Sequence, residues 1–241
     1  MKKLILIISA LVFLSPLSAF AAIARVGFSG HNATTWTDTV SGSNTLLVVG
    51  CLSAGVPLTG ITDNLTSLTY DASASGVASA NWSLDTYYLL SPPSGSNAIV
   101  VTPGSAYTPQ CYSTIYSGVN QSGQPDAHSF NSCSSCGSLA NSVTTVAENT
   151  VVTGVCGNAS GTGNFSSLAG GFTTVDRSNG IALGDNVASP QTGGTTVGGN
   201  CNQGGGGNDK TAFGLISFSP AASVAPLVSS ILGLVRSIFF Y

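Results

Sequence analysis

Short runs of alternating apolar and polar residues, rich in Val, Ile, Thr and aromatics, recur along the chain between clusters of Gly, Pro, Ser and Asn. Such runs bounded by turn residues predict strands. The pattern places them at 25–29, 34–40, 45–52, 66–70, 82–90, 98–102, 111–119, 142–146, 150–157, 172–176, 180–182 and 210–219. Leu46-Leu47-Val48-Val49 is apolar on both faces, as a central strand between packed layers would be. No apolar period of helical spacing occurs before Ser223. The expectation is an all-β fold: a single antiparallel β-sandwich over residues 23–221.

The two ends break this pattern. Lys2 and Lys3 precede an apolar stretch at 4–14, and Ser18-Ala19-Phe20-Ala21 offers small residues for cleavage. These features predict a secretory signal peptide over residues 1–22, cut after Ala21 or Ala22. Residues 222–241 form an apolar tail whose one charge is Arg236. About 15 residues follow Pro226, short of the ~20 a spanning helix needs. Ser229, Gly233 and Ser237 recur every four residues, the small-residue spacing of a closely packed helix. A short C-terminal helix is expected, with membrane association through residues 224–241 and docking on the protein as competing outcomes.

The chain also echoes itself. "TVSGSNTLLVVGCLSAG" at 39–55 resembles "TTVAENTVVTGVCGNASG" at 144–161. "CYSTIYSGVN" at 111–120 and "TAFGLISFSPA" at 211–221 fit as matching later strands. The period is too long for a solenoid. A two-fold pseudo-repeat within one sandwich is expected.

The phrases "TTWTDTVSGSNTLLVVGC", "TSLTYDA", "LDTYYLLSPPSGSNAIVVT", "YSTIYSGVNQSGQPDA", "TTVAENTVVTGV" and "TAFGLISFSPA" occur in that order. In this the chain resembles a group of uncharacterised exported bacterial domains, jelly-roll sandwiches of the concanavalin-A or laminin-G type. The resemblance covers about residues 24–221 and implies a fold rather than an activity. It supplies no catalytic residues. The six cysteines and a Gly-rich insertion near 193–207 depart from it.

Composition narrows the function. Charged residues make up 6% of the chain, and the net charge is -3. Between Arg25 and Arg236 the only cations are Arg177 and Lys210, so phosphate neutralisation and nucleic-acid binding are excluded. Cys51, Cys111, Cys133, Cys136, Cys156 and Cys201 form an even set in a chain expected to be exported, which implies disulfides. Cys51 ends one predicted strand and Cys111 begins another, so antiparallel neighbours would bring them together. Cys156 and Cys201 repeat that relation more loosely in the second half. The expected set is Cys51–Cys111, Cys156–Cys201 and the local Cys133–Cys136. The rival set joins Cys51 to Cys156 and Cys111 to Cys201.

Candidate chemistry is sparse. Cys133 and Cys136 lie in a small polar stretch, read as a loop, with His128 five residues upstream. A zinc site wants four ligands and a redox pair wants a helix N-terminus, so a disulfide staple is the expectation. His31 and His128 are the only histidines; G-x-S-x-G and H-E-x-x-H are absent. The acids are Asp38, Asp63, Asp71, Asp85, Asp126, Glu148, Asp176, Asp185 and Asp209. Most stand beside Asn, Ser or Gly, where Asp shapes turns. "GGGGND" at 204–209 is a lone calcium-repeat match. Asp176, Asp185 and Asp209 are the candidate calcium ligands, drawn from separate loops. Trp82 and Tyr107, nearest loops, are the candidate sugar-stacking platform. The expected function is a non-catalytic exported sandwich in cell-surface adhesion or envelope structure, with a glycan or surface protein as partner. A carbohydrate-binding, lectin-like module with optional calcium is the alternative, and a hydrolase ranks third.

Overall fold

The computed structural model describes residues 21–222 apart from 73, 80, 81, 159–162, 179 and 204–208. The expected signal peptide falls almost wholly outside the described residues, and the expected C-terminal helix wholly so. Among the described residues every regular element is a strand.

The first half contains β1 (Ala24–His31), β2 (Thr35–Val40), β3 (Leu46–Ala54), β4 (Gly60–Asp63), β5 (Thr66–Ser67), β6 (Thr69–Tyr70), β7 (Gly76–Ser79), β8 (Trp82–Leu90), β9 (Gly95–Thr102) and β10 (Gln110–Ser117). The second contains β11 (Ala127–Cys136), β12 (Ser138–Thr144), β13 (Val151–Asn158), β14 (Gly163–Ala169), β15 (Thr173–Ser178), β16 (Ile181–Asp185), β17 (Thr196–Gln203) and β18 (Asp209–Phe218). Strand order in the first half is β1-β10-β3-β8-β6, with β7 also on β8, facing a sheet ordered β2-β9-β4-β5. In the second half the orders are β11-β18-β13-β16-β15 and β12-β17-β14. Every described pairing is antiparallel. Substituting β11 for β1, β12 for β2, β13 for β3, β14 for β4, β15 for β6, β16 for β8, β17 for β9 and β18 for β10 turns the first half's orders into the second's, with β5 and β7 unmatched among the described residues. The internal echo is thus real, but each half carries its own pair of sheets. The expected single two-sheet sandwich is replaced by four sheets.

The packing explains the doubly apolar runs. Leu47, Val49 and Cys51 of β3 join Trp36, Ile61, Ile99 and Val101 in the first half's own core. Leu46 and Val48 instead join Val151, Ile216 and Phe218 of the second half. Leu52 and Tyr112 meet Val155, Ile181 and Leu183 in the same way. The two larger sheets therefore pack against each other, and each is covered on its far side by a smaller sheet. Strands β3 and β13 are buried along almost their whole length because both faces are covered.

Two glycines set the closeness of this contact. A Cβ on Gly50 would collide with the Val155 side chain, and one on Gly157 would come within 2.8 Å of Leu52. The strands thus exchange one large residue for one missing side chain, twice. Polar contacts cross the same interface: Tyr112 donates to Asp176 at 3.2 Å and Tyr116 to Asp185 at 2.9 Å. Arg25 pairs with Asp185 at 2.5 Å, and His128 Nδ1 stands 3.4 Å from Asp71.

All three expected disulfides form. Cys51 and Cys111 are directly opposite in the β3–β10 ladder, with Cα atoms 4.1 Å apart. The second half differs from the expected copy. Phe213 stands opposite Cys156 in the ladder, so Cys156 bridges across the core to Cys201 on β17. Cys201 lies in a strand and not in a Gly-rich loop; Thr196–Gln203 forms one because β12 and β14 hydrogen-bond to it on both sides. Cys133 and Cys136 also lie in a strand, β11, where the expected loop is instead a bulge. Between Cys133↔Thr211 and Cys136↔Asp209 the register shifts, and the disulfide staples the extra residue.

The predicted strand 66–70 is two. Leu68 is buried at the break, with β5 paired to β4 in one sheet and β6 to β8 in the other. The chain crosses the sandwich there.

Candidate functional site

The two loop aromatics come together. Trp82 opens β8 opposite Ala54, the last residue of β3. Tyr107 lies in the loop before β10 and is 65% exposed. Ser105 in that loop donates to the Ala54 carbonyl at 2.6 Å. Gly104 packs so tightly that a Cβ there would strike the Pro57 carbonyl oxygen. These two contacts hold the loop against residues 54–57. Ala54, Gly55, Trp82 and Tyr107 then line a pocket of about 410 Å³.

A second cavity of about 450 Å³ opens between the first half's two sheets, lined in part by Pro57, Leu58, Tyr70, Tyr87 and Thr102. Tyr70 and Tyr87 meet as a tilted pair with ring centroids 5.1 Å apart. Behind their wall lies Asp85, fully buried. Its Oδ2 accepts from the Leu58 amide at 3.0 Å, from Ser83 Oγ at 3.1 Å and from Ser53 Oγ at 3.4 Å. No hydrogen bond reaches Oδ1. Burial pushes this carboxyl above the ordinary carboxylate range, outweighing those donors and the nearby Tyr70 hydroxyl. Burial likewise raises the Tyr70 phenol and carries Tyr87 to about 12. Sequence reasoning passed over Tyr70 and Asp85. The one available signal was the alternation in "TSLTYDA", which aims Leu68 and Tyr70 to the same side.

The histidines each stand beside an acid. His31 Nε2 is 2.7 Å from Ser29 Oγ, which donates to Asp38 at 2.8 Å and lies 3.0 Å from Ser113 Oγ. His31 stacks on Trp36 at 4.3 Å, and Trp36 Nε1 donates to Asp38 at 3.0 Å. In a Ser-His-Asp triad the imidazole stands between carboxylate and hydroxyl. Here the hydroxyl stands between them. Ser29 gives its one proton to Asp38, so His31 Nε2 donates to Ser29 and is not placed to take that proton. Burial lowers the His31 pKa against the pull of Asp38. The cluster ties β1 to β2 and β10.

The candidate calcium ligands Asp176 and Asp185 are each held by other partners. Asp176 and Asp185 face Tyr112, Tyr116 and Arg25 at the interface between halves. Asp209 begins β18, and its side chain lies outside the described residues. Among the described residues no three His, Cys, Asp or Glu side chains form a metal-holding group.

Comparison with known proteins returns no matching family model and no matching curated protein. Three disulfides fit an oxidising compartment of the exported type. Among the described residues no helix is long and apolar enough to cross a membrane.

Proposed function

We propose that the protein is an exported, non-catalytic surface module that serves adhesion by binding carbohydrate in the Trp82–Tyr107 pocket. The observation that carries this is the convergence of an exposed Tyr from the loop before β10 and a half-buried Trp from the start of β8 on one small-residue floor. Aromatic rings beside small residues give a sugar ring an apolar face to stack on. Low charge and abundant Ser, Thr and Asn suit a surface that meets polyhydroxylated ligands through neutral hydrogen bonds. The hydroxyl-centred cluster at Ser29 supports the non-catalytic reading. We read each half as a roll of its own: β1-β10-β3-β8 with β2-β9-β4 in the first half, and β11-β18-β13-β16 with β12-β17-β14 in the second, favour this reading.

A glycan array probed with the exported protein tests this, run with and without a calcium chelator. The expected result is retention of a subset of glycans, lost with Trp82→Ala and unchanged by chelation. Retention of the same glycans by Trp82→Ala overturns the site, and a blank array overturns the function.

A further inference from the structure

The Trp82–Tyr107 pocket and the Tyr70–Tyr87 cleft share their borders. Ala54 and Gly55 line the first, and Pro57 and Leu58 line the second. Only Val56 lies between them in the chain, and it is exposed. Gly55 and Pro57 are two residues apart, so their Cα atoms are at most ~7 Å from one another. The second loop repeats the connection, with Thr102 on the cleft and Tyr107 on the pocket. Gly104 is pressed against Pro57 and Val56 between them. Two neighbouring cavities with aromatic walls thus lie along one pair of loops.

Building on the carbohydrate reading, we infer that the ligand is a neutral oligosaccharide, with one sugar stacked between Trp82 and Tyr107 and a neighbouring sugar in the cleft against Tyr70. The neutrality follows from the walls. Among the described residues, none that lines either cavity carries a formal charge. An acidic sugar would find no cation there, and leaving its carboxylate unpaired would be costly. The cleft wall is also polar, because Tyr70 carries a hydroxyl there. Thr59 and Thr102 add hydroxyls at the rim. Tyr70 itself is 43% exposed, so its ring is available to a ligand.

The test is calorimetric titration of the full exported chain with cello-, malto- and chito-oligosaccharides from mono- to tetrasaccharide, and with galacturonic acid oligomers. Wild type is compared with Tyr70→Ala, Tyr70→Phe and Trp82→Ala, each first shown to unfold at the wild-type denaturant midpoint. The expected result is that one neutral series gains roughly tenfold or more in affinity beyond the monosaccharide. Tyr70→Ala removes that gain and leaves monosaccharide affinity intact, and Tyr70→Phe keeps part of it. The acidic oligomers do not bind. Affinity independent of chain length, insensitive to Tyr70→Ala and abolished by Trp82→Ala, overturns the second subsite while the carbohydrate reading stands. Binding of the acidic oligomers overturns the neutrality. No heat with any series overturns both this inference and the reading beneath it.

Discussion

At the scale of single residues, the two large sheets approach each other closely where side chains are absent. Gly50 accepts Val155, and Gly157 accepts Leu52. Gly50→Leu would force atoms into space the second half already fills, and overpacking of this kind costs about 1–3 kcal/mol. The expected outcome is a lower urea midpoint, whereas Gly60→Ala, at a position open to solvent on its Cβ side, leaves the midpoint near wild type. The tyrosine phenols give a pH signature. Burial raises Tyr70, Tyr87, Tyr88 and Tyr116 above the ordinary value of 10.0, Tyr87 to about 12. Above pH 10 the unfolded chain releases protons that the folded one retains. Stability is therefore unaffected by these groups below that pH and falls as pH rises through the folded values. Phenolate absorbance should show these tyrosines ionising late, together with loss of the fold. Ionisation of all of them with a midpoint at the ordinary value of 10.0, the fold intact, would contradict this.

At the scale of elements, the apolar strands were legible and the polar ones were not. The span 82–90 matches β8 residue for residue, because a run carrying Trp82, Tyr87, Tyr88 and three leucines is bounded by turn residues on both sides. Strands β11, β14 and β17 escaped, since "AHSFNSCSSC", "GNFSSLA" and "TVGGNCNQ" are written in loop residues. They are strands because neighbours supply their ladders, a tertiary cause no local pattern reports. The candidate site divides in the same way. Trp82 and Tyr107 stood out as aromatics near turns, while Asp85 sits in an apolar run and gains its role only through the Leu58 amide. The disulfides act differently on their elements. Cys51–Cys111 and Cys156–Cys201 close loops with sequence separations of 60 and 45. In the chain-entropy model each contributes ~4 kcal/mol. Replacing Cys156 and Cys201 with Ala should lower the thermal midpoint markedly. Replacing Cys133 and Cys136 with Ser should change it little, because that bridge closes a separation of 3 on an edge strand. Differential scanning calorimetry distinguishes the two, and equal losses would contradict this division.

At the scale of the whole molecule, the fold has two ends. Val155 packs at Gly50 and Leu52 at Gly157, so β3 and β13 run in the same direction. Tyr107 precedes β10, whereas Gly118 follows it, where it meets Ala22 and accepts from the Ala221 amide at 2.7 Å. The eight residues of β10 span ~27 Å, so the aromatic pocket lies at the end of the fold away from the points where the chain enters and leaves it. The most direct test of carbohydrate binding uses the protein's own chromophores. The chain has two tryptophans. Trp36 is buried and stacked on His31, and Trp82 lines the pocket. Titration with neutral oligosaccharides should change the tryptophan emission saturably in the wild type and leave it unchanged in Trp82→Phe. An emission that does not respond in the wild type, or responds equally in Trp82→Phe, would contradict the assignment of the site.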